Sequence, residues 1–249
     1  MKRTLVTAQR ALLQLKHDPR SIAMMMVLPL VILSLFKYMF AHEATVAGKA
    51  DTFNLFALPV LAIFPMIIMF LITSIIMLRE RTGGTLERLF TTPLKPIELI
   101  FGYAIAFGLL AIIQALVATT FAYGILGMDT KGSQASVIGI AVLSALLGVA
   151  LGLFCSAFAR TEFQAIQFMP VVLIPQLFLA GIFVPLSTMA NWMQELSKLM
   201  PLRYSYDAIE QINTHTTMTT DAWHDVIGIV GIIIVVLIAG GLTLRRKTA

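Results

Sequence analysis

The side chains able to do chemistry are few in this chain, and they keep out of its apolar stretches. Thirteen carboxylates, four histidines and one cysteine stand among 249 residues, of which 58% are hydrophobic. A nucleophile needs a base within reach, and a metal needs ligands at set spacings. His17, His42, His215 and His224 are scattered without such spacing, and no G-x-S-x-G, H-E-x-x-H or paired-acid motif is present. Cys155 lies in an apolar run and reads as a small buried hydrophobe. Gly127 and Gly132 have the glycine spacing of a phosphate-binding loop, but Ser133 follows where that loop needs lysine. The carboxylates fall in loops or at the ends of apolar runs, Glu98 being the nearest to an exception. A proton or ion relay at membrane depth therefore has no obvious carriers. The sequence predicts no catalytic residue, no metal site and no cofactor held by this chain.

The densest polar segment is "RERTGGTLERLFTTPLKP", Arg79 to Pro96, lying between two long apolar runs. Gly83 and Gly84 permit a break in the helix before it. Thr85 stands where an N-cap would, with Arg88 in place of the acid that completes a capping box. Leu86, Leu89 and Phe90 share one face at spacings of three and four, and Pro93 and Pro96 end the pattern. This predicts a short amphipathic helix parallel to the membrane whose apolar side needs a groove. Spacing alone leaves two readings open: a helix that docks into a separate protein, and an interfacial loop whose charges fix topology.

The elements that must carry this segment follow from composition. Charged residues are 12% of the chain, against about 25% in a soluble domain. Runs at 22–40, 53–78, 97–127, 135–159, 165–184 and 224–244 each reach the length of a transmembrane helix. Backbone groups in hydrocarbon need internal partners, so helices are predicted, and the alternation of barrel strands is absent. The first run starts behind a long basic segment with no A-x-A site after it, and reads as a span rather than a cleaved signal. With the N-terminus in the cytoplasm, thirteen lysines and arginines fall inside and five outside. That places both termini and 79–96 in the cytoplasm and 185–223 outside. The net charge of +5 is then a topology and headgroup signal; no nucleic-acid motif accompanies it.

Further features add expectations. Residues 1–21 read as an in-plane basic helix with Leu5, Ala8, Leu12 and Leu15 on one face and Arg3, Arg10 and Gln14 toward another. Ser144, Gly148, Gly152 and Ser156 recur every four residues, which lets another helix approach closely, from this chain or from a second copy. Pro59 and Pro65 interrupt the second span, Pro170 and Pro175 the fifth. Broken helices often line cavities, so these two spans are the expected pathway walls. Met66, Met69, Phe70, Gln164, Gln167, Phe168, Gln176 and Phe178 are the side chains available there. In 185–223, Met189, Trp192, Leu196 and Leu199 mark one helical face, and Tyr204, Ala208 and Ile212 another after Pro201. Two short helices at the outer boundary, or an aromatic interface belt, would both read this way.

Two segments resemble a known family. "RERTGGTLERLFTTPLKPIELIFGY" is similar to the segment after the second span of ABC-2 permeases, the membrane subunits of ATP-binding cassette exporters, including drug-resistance permeases of the daunorubicin type. Arg79, Glu80, Gly84, Thr85, Leu86, Glu87, Leu89, Thr92 and Pro93 carry the match. "GIFVPLSTMANWMQELSKLMPLRYSYDAI" resembles the family's stretch before the last span through Gly181, Pro185, Trp192, Pro201, Tyr204 and Tyr206. The departure is Glu210 and Gln211, where members often carry an arginine. The resemblance implies an all-α, six-span permease domain over 1–249 in a bacterial or archaeal inner membrane. It implies pairing with a second copy or close relative, and with cytoplasmic subunits that hold ATP and Mg. The helix containing Arg88 and Phe90 would then be the coupling helix, and 185–223 an external gate. Export, ATP drive and drug-like or lipophilic cargo come with the family. A secondary transporter driven by an ion gradient, or a scaffold or sensor using the same loop, are the alternatives.

Overall fold

A computed structural model describes residues 2–39, 52–91 and 94–243. Over these the chain is helical, in the order α1 (Lys2–Lys16), α2 (Pro19–Met39), α3 (Thr52–Thr82), α4 (Thr85–Phe90), α5 (Pro96–Gly124), α6 (Gln134–Ser156), α7 (Glu162–Leu179), a single 3-10 turn (Leu186–Thr188), α8 (Asn191–Ser197), α9 (Pro201–Thr214) and α10 (Thr220–Thr243). Among the described residues there is no strand. Six helices are long and apolar enough to cross a membrane: α2, α3, α5, α6, α7 and α10. Their ends differ from the predicted runs by a few residues, chiefly where polar residues extend a helix past its apolar stretch, as Arg79–Thr82 extend α3.

The centre of the bundle is the pair α3 and α6. About two thirds of the apolar window of each is buried in the fold (67%), against 17% for α2 and 22% for α7 and α10. The four-residue repeat explains the contact. A Cβ on Gly148 would lie 2.2 Å from the Met66 carbonyl oxygen, and one on Gly152 2.6 Å from that of Phe70. Only glycine allows the two backbones so close. The Ser144 hydroxyl donates to the Ala62 carbonyl in the same seam. The small-residue stripe is thus used inside the chain.

Helix α1 packs along the first half of α5, where Gly102 makes room for Thr7. Its buried face is Thr7, Ala8, Ala11 and Leu15. The expected face is rotated: Leu5 is exposed, and Arg10 turns inward. Asp18 ends the connection to α2 by accepting from the Ser21 backbone N–H (3.2 Å) and hydroxyl (2.7 Å). These bonds hold its carboxyl below the ordinary value. The outward sides of α2, α7 and α10 carry large apolar side chains in the open, such as Leu35, Val171 and Ile227. Such surface suits a lipid environment.

Candidate partner-docking site

The loop after α3 is built from a helix that ends, a glycine that turns and a helix of six residues. The Gly83 N–H donates to the Arg79 carbonyl (2.8 Å). Gly84 then adopts φ 72°, the left-handed conformation that costs an L side chain. Gly84, not Thr85, occupies the cap position of α4, and no side chain caps it. The backbone turn alone suffices to restart the helix, so the half-formed capping box is not used. At the far end the Thr91 hydroxyl donates to the Arg88 carbonyl (2.7 Å). Pro96 opens α5 in the first helical position, where its missing N–H has no consequence. The Lys95 N–H donates to the Glu98 carboxylate (2.9 Å) at this start. Thr92 and Pro93, and the side chains of Leu86, Glu87 and Phe90, lie outside the described residues. Of the rest, Arg88 is exposed, and Thr85 and Leu89 are half-buried, Leu89 against a core cluster that includes residues of α1, α3 and α5.

The three charges before α4 face three different neighbours. The Arg10 guanidinium donates to the Glu80 carboxylate at 2.8 Å and to the Tyr103 hydroxyl. The Glu80 side chain is 8% exposed and that of Arg10 30%. Arg79 forks onto Glu162 at the start of α7, at 2.7 and 3.0 Å. Arg81 donates to the Ser156 carbonyl at the end of α6. The root of α4 is thereby tied to α1, α6 and α7 at once. A cavity of about 220 Å³ lies beside it, lined among others by Gln14, Asp18, Ile76, Thr85 and Phe107. Of the loop charges singled out from sequence, Glu80 spends its charge internally, while Arg88 is open. The Arg10–Glu80–Tyr103 link was missed. The sequence held no signal for it, since Glu80 stands between Arg79 and Arg81, two cations that could satisfy it locally.

The predicted pathway residues divide. Met66, Met69 and Phe70 are fully buried, because α6 closes over α3. On α7, Gln164, Gln167 and Phe178 are exposed and Phe168 is half-buried. Gln176 is buried: its carbonyl accepts from the Leu202 N–H (3.2 Å), an otherwise free donor in the first turn of α9, and its amide donates to Val172 (3.0 Å).

At the opposite end of the bundle, Gly181 has φ 87° where the chain leaves α7. Pro185 is exposed, Trp192 is 68% exposed and Leu199 72%. The apolar face of α8 is thus open. Helix α9 does the reverse: Pro201, Leu202, Ala208, Ile209 and Ile212 are buried, and Tyr206 packs on the same cluster. Tyr204 stands beside Gly228 of α10 and donates to the Lys198 carbonyl (2.7 Å). Gln211 bridges to Asp225 of α10 at 3.3 Å. Asp207 pairs with Arg203 at 3.2 Å. Burial raises its carboxyl above the ordinary value in spite of that partner.

A family model described as ABC-2 type transporter matches residues 2–213. ABC transporter G family member 20 of Dictyostelium discoideum is 30% identical over 141 residues, 57% of this chain and 19% of that protein. The probable multidrug ABC transporter permease YbhR of Escherichia coli is 28% identical over 154 residues, 62% of this chain and 42% of its own length. The daunorubicin resistance ABC transporter permease protein DrrB1 of Streptomyces coeruleorubidus is 26% identical over 216 residues, 84% of this chain and 74% of its own. The match thus spans less than half of the first two relatives and about three quarters of the third.

Proposed function

The chain belongs to the ABC-2 type transporter family, and from that membership we propose that it is the permease subunit of an ATP-driven exporter. The observation that carries the reading is the six-residue helix Thr85–Phe90 hung from Gly84 between two spans, with its root bound to three other helices. A rigid lever engages a partner in this way. A push on α4 reaches α1 through Arg10, α7 through Glu162 and α6 through the Ser156 carbonyl. The partner is a cytoplasmic ATP-binding cassette subunit, which holds ATP and Mg. The termini lie on its side of an inner membrane.

A second copy or close relative completes the pathway. In this conformation the α7 side chains Gln164, Gln167 and Phe178 are the ones open to it, while Met66, Met69 and Phe70 are enclosed in the bundle. The segment from Gly181 to Tyr206 caps the opposite end. Drug-like or lipophilic cargo is favoured by the resistance function in the name of one relative and by the many methionine and phenylalanine side chains. In liposomes holding this chain and a co-expressed ATP-binding cassette subunit, a lipophilic dye should accumulate on ATP addition with no ion gradient imposed. Accumulation that follows a proton or sodium gradient and ignores ATP would overturn the proposal.

A further inference from the structure

Between α1 and the start of α2 lies an apolar groove of about 350 Å³, lined by Leu12, Leu15, Lys16, Ile22, Met26 and Leu110 among others. Its volume falls in the range of small-molecule sites. Lys16 is the one charged side chain in its lining, and it forms no ion pair among the described residues. The neighbouring acid, Asp18, lines the other cavity, where Ser21 holds its carboxylate by two hydrogen bonds. Arg79 and Arg20, the latter exposed on the first turn of α2, act on the Asp18 charge and leave Lys16 as the excess cation at this corner. Helix α2 is a membrane-spanning candidate that begins at Pro19. The groove therefore sits where headgroups give way to acyl chains.

We propose that this groove binds one anionic glycerophospholipid, with an acyl chain along Leu12, Ile22 and Met26 and the phosphate against Lys16. Charge complementarity selects the occupant: an apolar trough whose lysine forms no ion pair among the described residues, at a bilayer boundary, matches a molecule with a long tail and an anionic head. Basic pockets between membrane helices recruit such headgroups. Nothing in this binding depends on what docks at Thr85–Phe90.

Native mass spectrometry of the detergent-purified full chain tests it, with dioleoyl-phosphatidylglycerol and dioleoyl-phosphatidylcholine supplied in equal amounts. The expected result is one phosphatidylglycerol retained per chain in preference to phosphatidylcholine. Lys16→Gln should lower that preference about fivefold, and Lys16→Arg should keep it. Ala23→Phe, which fills the groove, should remove retention of both lipids. Equal retention of the two lipids by the wild type, or an unchanged preference in Lys16→Gln, would show a general lipid shell only and overturn the proposal. A lipid-free dimer that Ala23→Phe dissociates would put a second copy in the groove and overturn it equally. Circular dichroism checks that each variant is folded. If Ala23→Phe does not fold, the Lys16→Gln and Lys16→Arg pair decides alone.

Discussion

Truncating Arg10 should cost more than neutralising Glu80, although both changes break the same ion pair. The two side chains differ in their access to water, 30% exposed for Arg10 and 8% for Glu80. Arg10→Ala strands a carboxylate that is only 8% exposed. Removing one partner of a buried pair costs about 3–5 kcal/mol. The partial exposure of Arg10 lowers the expectation to about 2–3 kcal/mol. Glu80→Gln leaves an amide oxygen that still accepts, and a long arginine that can swing outward, so about 1 kcal/mol is expected. The paired change Arg10→Met with Glu80→Met removes both charges and should cost less than Arg10→Ala alone. Reversible unfolding by sodium dodecyl sulfate in mixed micelles gives the free energies. A double-mutant cycle on Arg10→Ala and Glu80→Gln should show non-additivity of about 1 kcal/mol or more. Additivity within about 0.3 kcal/mol, or Glu80→Gln costing more than Arg10→Ala, would refute the reasoning.

Three other perturbations address the remaining contacts. Gly148→Ala places a methyl 2.2 Å from the Met66 carbonyl oxygen and should destabilise the chain by about 1–3 kcal/mol. Gly139→Ala meets open space and should be neutral or stabilising by up to about 1 kcal/mol; equal unfolding midpoints for the two would contradict the close α3–α6 contact. Gln176→Leu leaves the Leu202 N–H buried without its acceptor and should cost about 1–3 kcal/mol, read as faster hydrogen exchange at the start of α9. Asp207 binds its proton more tightly folded than unfolded. The folded state therefore holds more protons as pH rises from the ordinary value of 3.8 to the raised one, and stability falls across that window. Unfolding midpoints of wild type and Asp207→Asn should diverge in that direction, the wild type losing ground as pH rises. A pH-independent difference would contradict the burial argument.

The spans were legible because length and hydropathy are sums over many residues, and no single contact decides them. The break at Gly83 and Gly84 was equally readable, since a left-handed turn between two helices calls for glycine. The inward turn of Arg10 was not. Its neighbours on α1 place it on a polar face, and only the arrival of Glu80 and Tyr103 from 70 and 93 residues away makes that face internal. The enclosure of Met66, Met69 and Phe70 depends on which helix covers α3. The glycines at 148 and 152 announce a close neighbour without naming it. Gln176 stood out as a polar residue on a proline-broken span. The backbone N–H that it satisfies belongs to α9, which the pattern on α7 does not reveal.

On the proposed function, force enters through Thr85–Phe90 from a separate subunit. The direct measurement is the affinity of a co-expressed ATP-binding cassette subunit for this chain in nanodiscs. The wild type is compared with a loop variant carrying Glu87→Arg and Arg88→Glu, and with a control, Glu210→Lys, at an exposed position of α9 at the other end of the bundle. The account predicts that the loop variant inserts normally and loses the subunit, while the control binds as the wild type does. Undiminished binding by the loop variant would contradict it.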